Sequence, residues 1–187
     1  MRTNIIVTII AAIAICIFVY YHSRYVISDD EQVVITQFGK VVGEKAVPGE
    51  YFIIPVVQKI HYFTKKFFLT EWKAEIPTKE KKFLSLKIKA FWQISDPIEY
   101  YKTLNSDNLA KNFIMDQVGI VVRNFIVSHT ITELVGKDDV IELKDAEYDY
   151  RVAFSLIEIA KPPIAKSGIS LSNIEARVTY PIETSKP

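Results

Sequence analysis

A chain of 187 residues is long enough for one folded domain with an appendage, and 49% apolar content supplies a proper core. Lys and Arg (23) nearly cancel Asp and Glu (22), which removes any general electrostatic drive towards nucleic acid, and no nucleic-acid partner is expected. The single cysteine, Cys16, excludes an intrachain disulfide and a thiolate metal site from everything beyond it.

The first element is an apolar segment. Ile5, Ile6, Val7, Ile9, Ile10, Ile13, Ile15, Ile17, Phe18, Val19, Tyr20 and Tyr21 belong to a charge-free run in which Thr8 is the one polar residue. As a helix the run covers roughly 26 Å, close to the lower limit for crossing the hydrocarbon core. Tyr20 and Tyr21 stand where aromatic rings prefer the interface, and His22 and Arg24 follow as polar anchors. A cleaved signal peptide is the alternative, but Val19-Tyr20-Tyr21-His22 is bulky where a small-residue site would lie. Ile15 before Cys16 likewise disfavours a lipoprotein site. The expectation is an uncleaved anchor over residues 1–24, with an orientation that the flanking charges leave open.

Short strand-like runs come next. Val33-Val34-Ile35-Thr36 is β-branched and ends near a turn at Gly39; a second turn, Val47-Pro48-Gly49, leads into Tyr51, Phe52, Ile53, Ile54, Pro55, Val56 and Val57. This seven-residue run reads as a buried strand capped by Pro55, with a lipid-facing, membrane-apposed edge as the alternative. From Phe83 to Ile94, Leu84, Leu86, Ile88, Ala90, Trp92 and Ile94 alternate with Ser85, Lys87, Lys89, Phe91 and Gln93, so one face of a strand must be covered. Ser95-Asp96-Pro97 then starts a helix, with Asp96 as N-cap and Pro97 at its first position.

The character changes to helix in the second half. Ser106 or Asp107 can cap a helix with Leu109, Phe113, Val118, Val121, Val122 and Phe125 as its apolar positions. Thr130 to Val135 reads as a short turn of helix ended by Gly136. A third helix begins near Asp138 or Asp139, and Pro162-Pro163 is expected to break or kink it. A last strand opens at Gly168, and its alternation slips phase at a bulge expected near Asn173. Strands first, helices second and a closing strand make the fold class α+β.

Reactive constellations are missing. His22, His61 and His129 are scattered, and the six glycines form no phosphate-cradling loop. Lys166-Ser167 and Asp138-Asp139 read more simply as a solvated loop and a helix N-terminus. No catalytic residue, metal ligand or cofactor site is assigned.

Several motifs together resemble the prohibitin/stomatin-type (SPFH, band 7) family, most closely its bacterial HflC-like branch. They are Asp30 to Val41, Pro48-Gly49-Glu50-Tyr51-Phe52-Ile53-Ile54-Pro55, Ile76-Pro77-Thr78-Lys79-Glu80-Lys81-Lys82 before the long strand, Val122-Arg123-Asn124, and Gly168 to Arg177. The resemblance places an SPFH domain over residues 25–180 behind the transmembrane anchor. It implies a non-enzymatic scaffold, held by membrane lipid, that assembles as a hetero-oligomer with an HflK-like paralogue and restrains an FtsH-like membrane AAA protease. It further implies a single-pass protein of the bacterial inner membrane, with its N-terminus in the cytoplasm and its domain on the periplasmic side. Two features depart from the family pattern: residues 181–187 do not start the expected coiled coil, and Pro162-Pro163 interrupts a family helix. A stomatin-like membrane organiser independent of proteolysis, and an anchored hydrolase using Ser167, are the competing readings.

Overall fold

The computed structural model describes residues 2–130, 133, 148–150 and 153–179, with side chains for 7, 9–14, 16–130, 133 and 159–177. The chain forms two compact units, Met1–Lys65 and Lys66–Pro187.

The first unit opens with helix α1 (Arg2–Ser23), followed by β1 (Arg24–Ile27), β2 (Glu31–Gln37), β3 (Lys40–Lys45), β4 (Gly49–Phe52) and β5 (Gln58–Thr64). β1 pairs antiparallel with β4, and β2 is the centre of a β3-β2-β5 sheet. Central position explains why Val33 and Val34 are wholly buried, since a β-branched pair there is covered on both faces. Tyr25, Ile27 and Val33 form the core, with Ile35, Tyr51, Ile53 and Ile60 packed on it. β2 turns into β3 through Phe38 (φ 50°) and Gly39 (φ 78°); two successive positive φ values give the tight connection that matches strand twist.

The second unit holds β6 (Phe68–Pro77), β7 (Phe83–Ile94), α2 (Pro97–Thr103), α3 (Asp107–Ser128), β8 (Tyr148–Tyr150), α4 (Ala153–Ala165) and β9 (Ile169–Thr179). Its sheet is antiparallel throughout, in the order β6-β7-β9-β8. All six apolar residues of the alternating β7 pattern are buried, from Leu84 to Ile94. Trp92 stacks on Phe68 at 4.3 Å between ring centres and donates its indole N–H to Thr70 Oγ1 at 3.0 Å, so its one polar atom is satisfied inside the core. The expected bulge is present: Phe91 faces Asn173 while Trp92 faces Leu171, which leaves Ser172 as the extra residue. Asp96 caps α2 by accepting from the backbone N–H of Ile98 and Glu99, both at 3.0 Å, and Pro97 occupies the first helical position.

Two helix expectations are corrected. The buried stripe of α3 is Ala110, Ile114, Val118, Val122 and Ile126, a strict i, i+4 series, whereas Leu109 is exposed. The expected set shares Val118 and Val122 with this stripe, but its other members come from neighbouring faces of the helix. Of the break or kink expected at Pro162-Pro163, the break is absent: helix α4 continues through both to Ala165. The pair forfeits two backbone donors only three residues from the helix end, where few further bonds remain to be lost. Thr130 and Glu133 exchange backbone-to-side-chain hydrogen bonds (2.8 and 3.3 Å), a reciprocal cap in keeping with a helix start at Thr130. The expected end at Gly136 and the start at Asp138 or Asp139 lie outside the described residues.

Candidate membrane-facing surface

In the first unit, the end of α1 is stitched to the strand that follows Pro48-Gly49. The backbone N–H of Ile53 donates to the carbonyl of Ser23 at 2.8 Å, and β1 runs against β4 with Arg24 opposite Phe52. The Arg24 guanidinium forms an ion pair with Glu50, which holds it firmly in its charged form. Phe18 stacks on His22 at 4.1 Å, and His22 Nδ1 lies 3.0 Å from the Phe18 carbonyl oxygen, which ties the ring to the last turn of the helix.

The apolar run 51–57 divides by side. Tyr51 and Ile53 pack on the core, Pro55 and Val57 are half-buried, and Phe52 (62% exposed), Ile54 (58%) and Val56 (97%) face solvent. The expected continuous buried strand is therefore corrected: β4 ends at Phe52, and the chain turns through Pro55 and Val56 into β5. That turn is built, not loose. Gln58 donates its backbone N–H to the Ile54 carbonyl and accepts from the Ile54 N–H through Oε1, both at 2.9 Å. Val56 is held at φ 71°, a left-handed geometry that a β-branched residue rarely adopts.

A neighbouring tip escaped the sequence reading. Gln37 pairs with both Lys40 and Gln58, so the β2–β3 turn lies at the same end of this sheet as the Val56 turn. Phe38 on that turn is 81% exposed. The signal was available as a phenylalanine directly before a turn glycine, a place where a polar residue is usual. Phe52, Ile54, Val56 and Phe38 thus give this end of the unit an exposed apolar character.

Of the anchor residues, Val7, Ile9, Ile10, Ile13, Ile17, Phe18, Val19, Tyr20 and Tyr21 are exposed on α1; the side chains of Ile5, Ile6 and Ile15 lie outside the described set. The expected transmembrane span is not reproduced: among the described residues no helix is long and apolar enough to cross a membrane.

Ser167, the hydrolase candidate, is buried and donates its hydroxyl to the Ile164 carbonyl at 2.7 Å, while the adjacent Lys166 is exposed. The pair lacks the mutual hydrogen bond that would activate a nucleophile.

The described residues form an α+β fold whose first unit carries exposed apolar tips. The chain belongs to the SPFH domain / Band 7 family, whose model matches residues 25–155. It is 26% identical over 132 residues to Protein HflC of Treponema pallidum, which covers 70% of this chain and 40% of that protein. Over 135 residues it is 24% identical to Protein HflC of Borreliella burgdorferi, covering 70% and 41%. Over 152 residues it is 25% identical to the Modulator of FtsH protease HflC of Escherichia coli K12, covering 74% and 45%. The chain thus spans less than half the length of these curated relatives.

Proposed function

We propose that this chain is a non-enzymatic, HflC-like scaffold of the bacterial inner membrane, assembling with an HflK-like paralogue to regulate an FtsH-type membrane AAA protease. In this reading Ile5 to Tyr21 crosses the bilayer with the N-terminus in the cytoplasm, and the domain over residues 25–180 lies against the periplasmic side. The observation that carries the membrane part is the hydrogen bond from Ile53 to Ser23, which fastens the Phe52–Val56 turn to the end of α1. A span ending at Tyr21 would hold the exposed side chains of Phe52, Ile54 and Val56 near the interface, where apolar groups leave water. The protease part is supported by family membership and by the name of the Escherichia coli relative.

Affinity capture of the chain from detergent-solubilised membranes tests the reading. An HflK-like paralogue and an FtsH-like protease are expected in the captured material; recovery of neither overturns it. The exposed Phe52, Ile54 and Val56 also favour a second reading, a stomatin-like membrane organiser that acts without a protease. Capture of lipid with no protease, and unchanged proteolysis in cells lacking the chain, would select that one.

A further inference from the structure

In the second unit β6 is an edge strand: β7 pairs along one side of it, and no strand pairs along the other among the described residues. Two open clefts lie between β6 and α3. Leu69 and Thr70 line one of about 550 Å³ with Lys111 and Met115, and Trp72 and Ala74 line the next, of about 340 Å³, with Met115, Gly119 and Arg123. Met115 belongs to both, so the clefts adjoin in one trough along which the strand and the helix run in the same direction.

The helix wall of this trough has a pattern. Lys111, Met115, Gly119 and Arg123 stand four residues apart and so share one face of α3. Lys111 and Arg123 are exposed, and neither forms an ion pair among the described residues. On the strand side, the Glu71 carboxylate is already held by Lys87 at 3.0 Å and Lys89 at 4.0 Å. Asp116 is exposed one position off the helical series, which leaves the trough with a cation at each end. Between them the lining is apolar, with Trp72, Ala74 and Met115 half-buried. A β-carbon on Gly119 would meet nothing within 4 Å, so the helix leaves a gap there.

Spacing decides what fits. Members of the α3 series lie about 6 Å apart along the axis, and alternate residues of an extended chain about 6.8 Å apart. Four alternate side chains of one strand therefore fall in step with Lys111, Met115, Gly119 and Arg123. The matching segment carries acidic residues six positions apart and two apolar residues at the alternate positions between them. No described strand of this chain carries two acidic residues six positions apart, which points to a segment of another protein.

We propose that the β6–α3 trough binds an extended segment of a partner protein by strand addition to β6, with carboxylates at Lys111 and Arg123 and apolar side chains over Met115 and Gly119. Either chain direction fits, because the two end charges are alike. The proposal goes beyond the protease reading and holds or fails independently of it.

The test titrates the full chain in detergent micelles against a fluorescein-labelled peptide, Glu-Thr-Leu-Thr-Leu-Thr-Glu, and reads anisotropy. Saturable binding is expected; its absence overturns the proposal. Gly119→Leu fills the gap with a better helix former, so the melting temperature should hold while affinity falls about tenfold or more. Unchanged affinity would place the peptide elsewhere and overturn the proposal. The exposed pair Lys111→Glu and Arg123→Glu, made together, should weaken binding about tenfold, and a peptide with lysine at both ends should bind that variant as the original binds the unsubstituted chain. Failure of this exchange overturns the charge assignment. Backbone N-methylation of the peptide separates strand addition from docking by side chains alone. Alternate N–H groups of an added strand point at β6, so methylation at the third residue or at the fourth, but not at both alike, should cost about tenfold in affinity. Equal effects at the two positions overturn the strand mode.

Discussion

At the scale of single residues, Val56 and Gly168 show opposite uses of a positive φ. Val56 sits at φ 71° with its side chain almost wholly in solvent, so no packing rewards the strained geometry. A left-handed conformation costs a β-branched residue about 1–2 kcal/mol, and glycine's extra freedom in the unfolded chain returns only about 0.5–1 kcal/mol of that. Val56→Gly should therefore raise the melting temperature of the chain in micelles; a fall would show that the Val56 side chain holds the turn. Gly168 (φ 78°) is the reverse case, a glycine the fold requires. Its carbonyl accepts from the backbone N–H of Ser95 (2.9 Å) and Asp96 (3.1 Å), which brings the start of β9 against the start of α2. A β-carbon there would lie 2.2 Å from the Asp96 carbonyl oxygen and 2.5 Å from the Tyr100 nitrogen, both of them backbone atoms that cannot swing aside. Gly168→Ala should cost about 2–4 kcal/mol in chemical denaturation, the sum of positive-φ strain and overpacking. A loss below about 1 kcal/mol would mean that the α2–β9 junction relaxes freely.

Elements were legible where one periodicity acted alone. β7 alternates cleanly because one of its faces is wholly covered, and Asp96-Pro97 marked the start of α2 because the cap and the proline act within two residues. The slip in phase near Asn173 was also readable, since a bulge must shift every later residue of the strand. β5 was not named as a strand, because its burial follows no simple two-residue repeat. β6 was missed although Phe68, Thr70, Trp72, Ala74 and Ile76 do alternate; the small and polar members of that set hid the covered face. In α3 the buried face was legible at Val118 and Val122 and misplaced elsewhere. Ala110 is wholly buried and Leu109 exposed, because which face meets the sheet depends on tertiary placement and not on which residue is larger. This gives a paired prediction. Ile114→Ala, at a fully buried position, should destabilise the chain by about 2–5 kcal/mol, while Leu109→Ala should change stability by less than about 0.5 kcal/mol. Equal losses in denaturant titrations would return α3 to the face expected from sequence. The exposed apolar end of the first unit was half legible for a related reason: the apolar run at 51–57 stands out in sequence, whereas Phe38 joins it only through the pairing of β2 with β5.

For the molecule at the membrane, the first unit makes a prediction about depth. β2 pairs with β5 from Gln37 opposite Gln58 at one end to Glu31 opposite Thr64 at the other. Six residue steps at about 3.4 Å each separate those ends by roughly 20 Å. The Phe38 and Val56 turns adjoin the first end, and Lys65 adjoins the second, where its backbone N–H donates to the Asp30 carbonyl at 2.8 Å. If the apolar tips meet the bilayer while this sheet stands away from it, a probe at either tip lies near the acyl chains and one at Lys65 lies in water. Single cysteines at Phe38→Cys, Val56→Cys and Lys65→Cys, in a Cys16→Ser background, can carry an environment-sensitive fluorophore in liposomes containing nitroxide-labelled lipid. Quenching should be strong at positions 38 and 56 and near background at 65. Equal quenching at all three would mean that the sheet lies flat on the surface. Quenching at 56 without 38 would mean that the Phe52–Val56 turn touches lipid alone and that Phe38 serves another contact. The comparison is internal to one chain in one membrane, so it reads the disposition of the first unit independently of how firmly α1 holds the protein there.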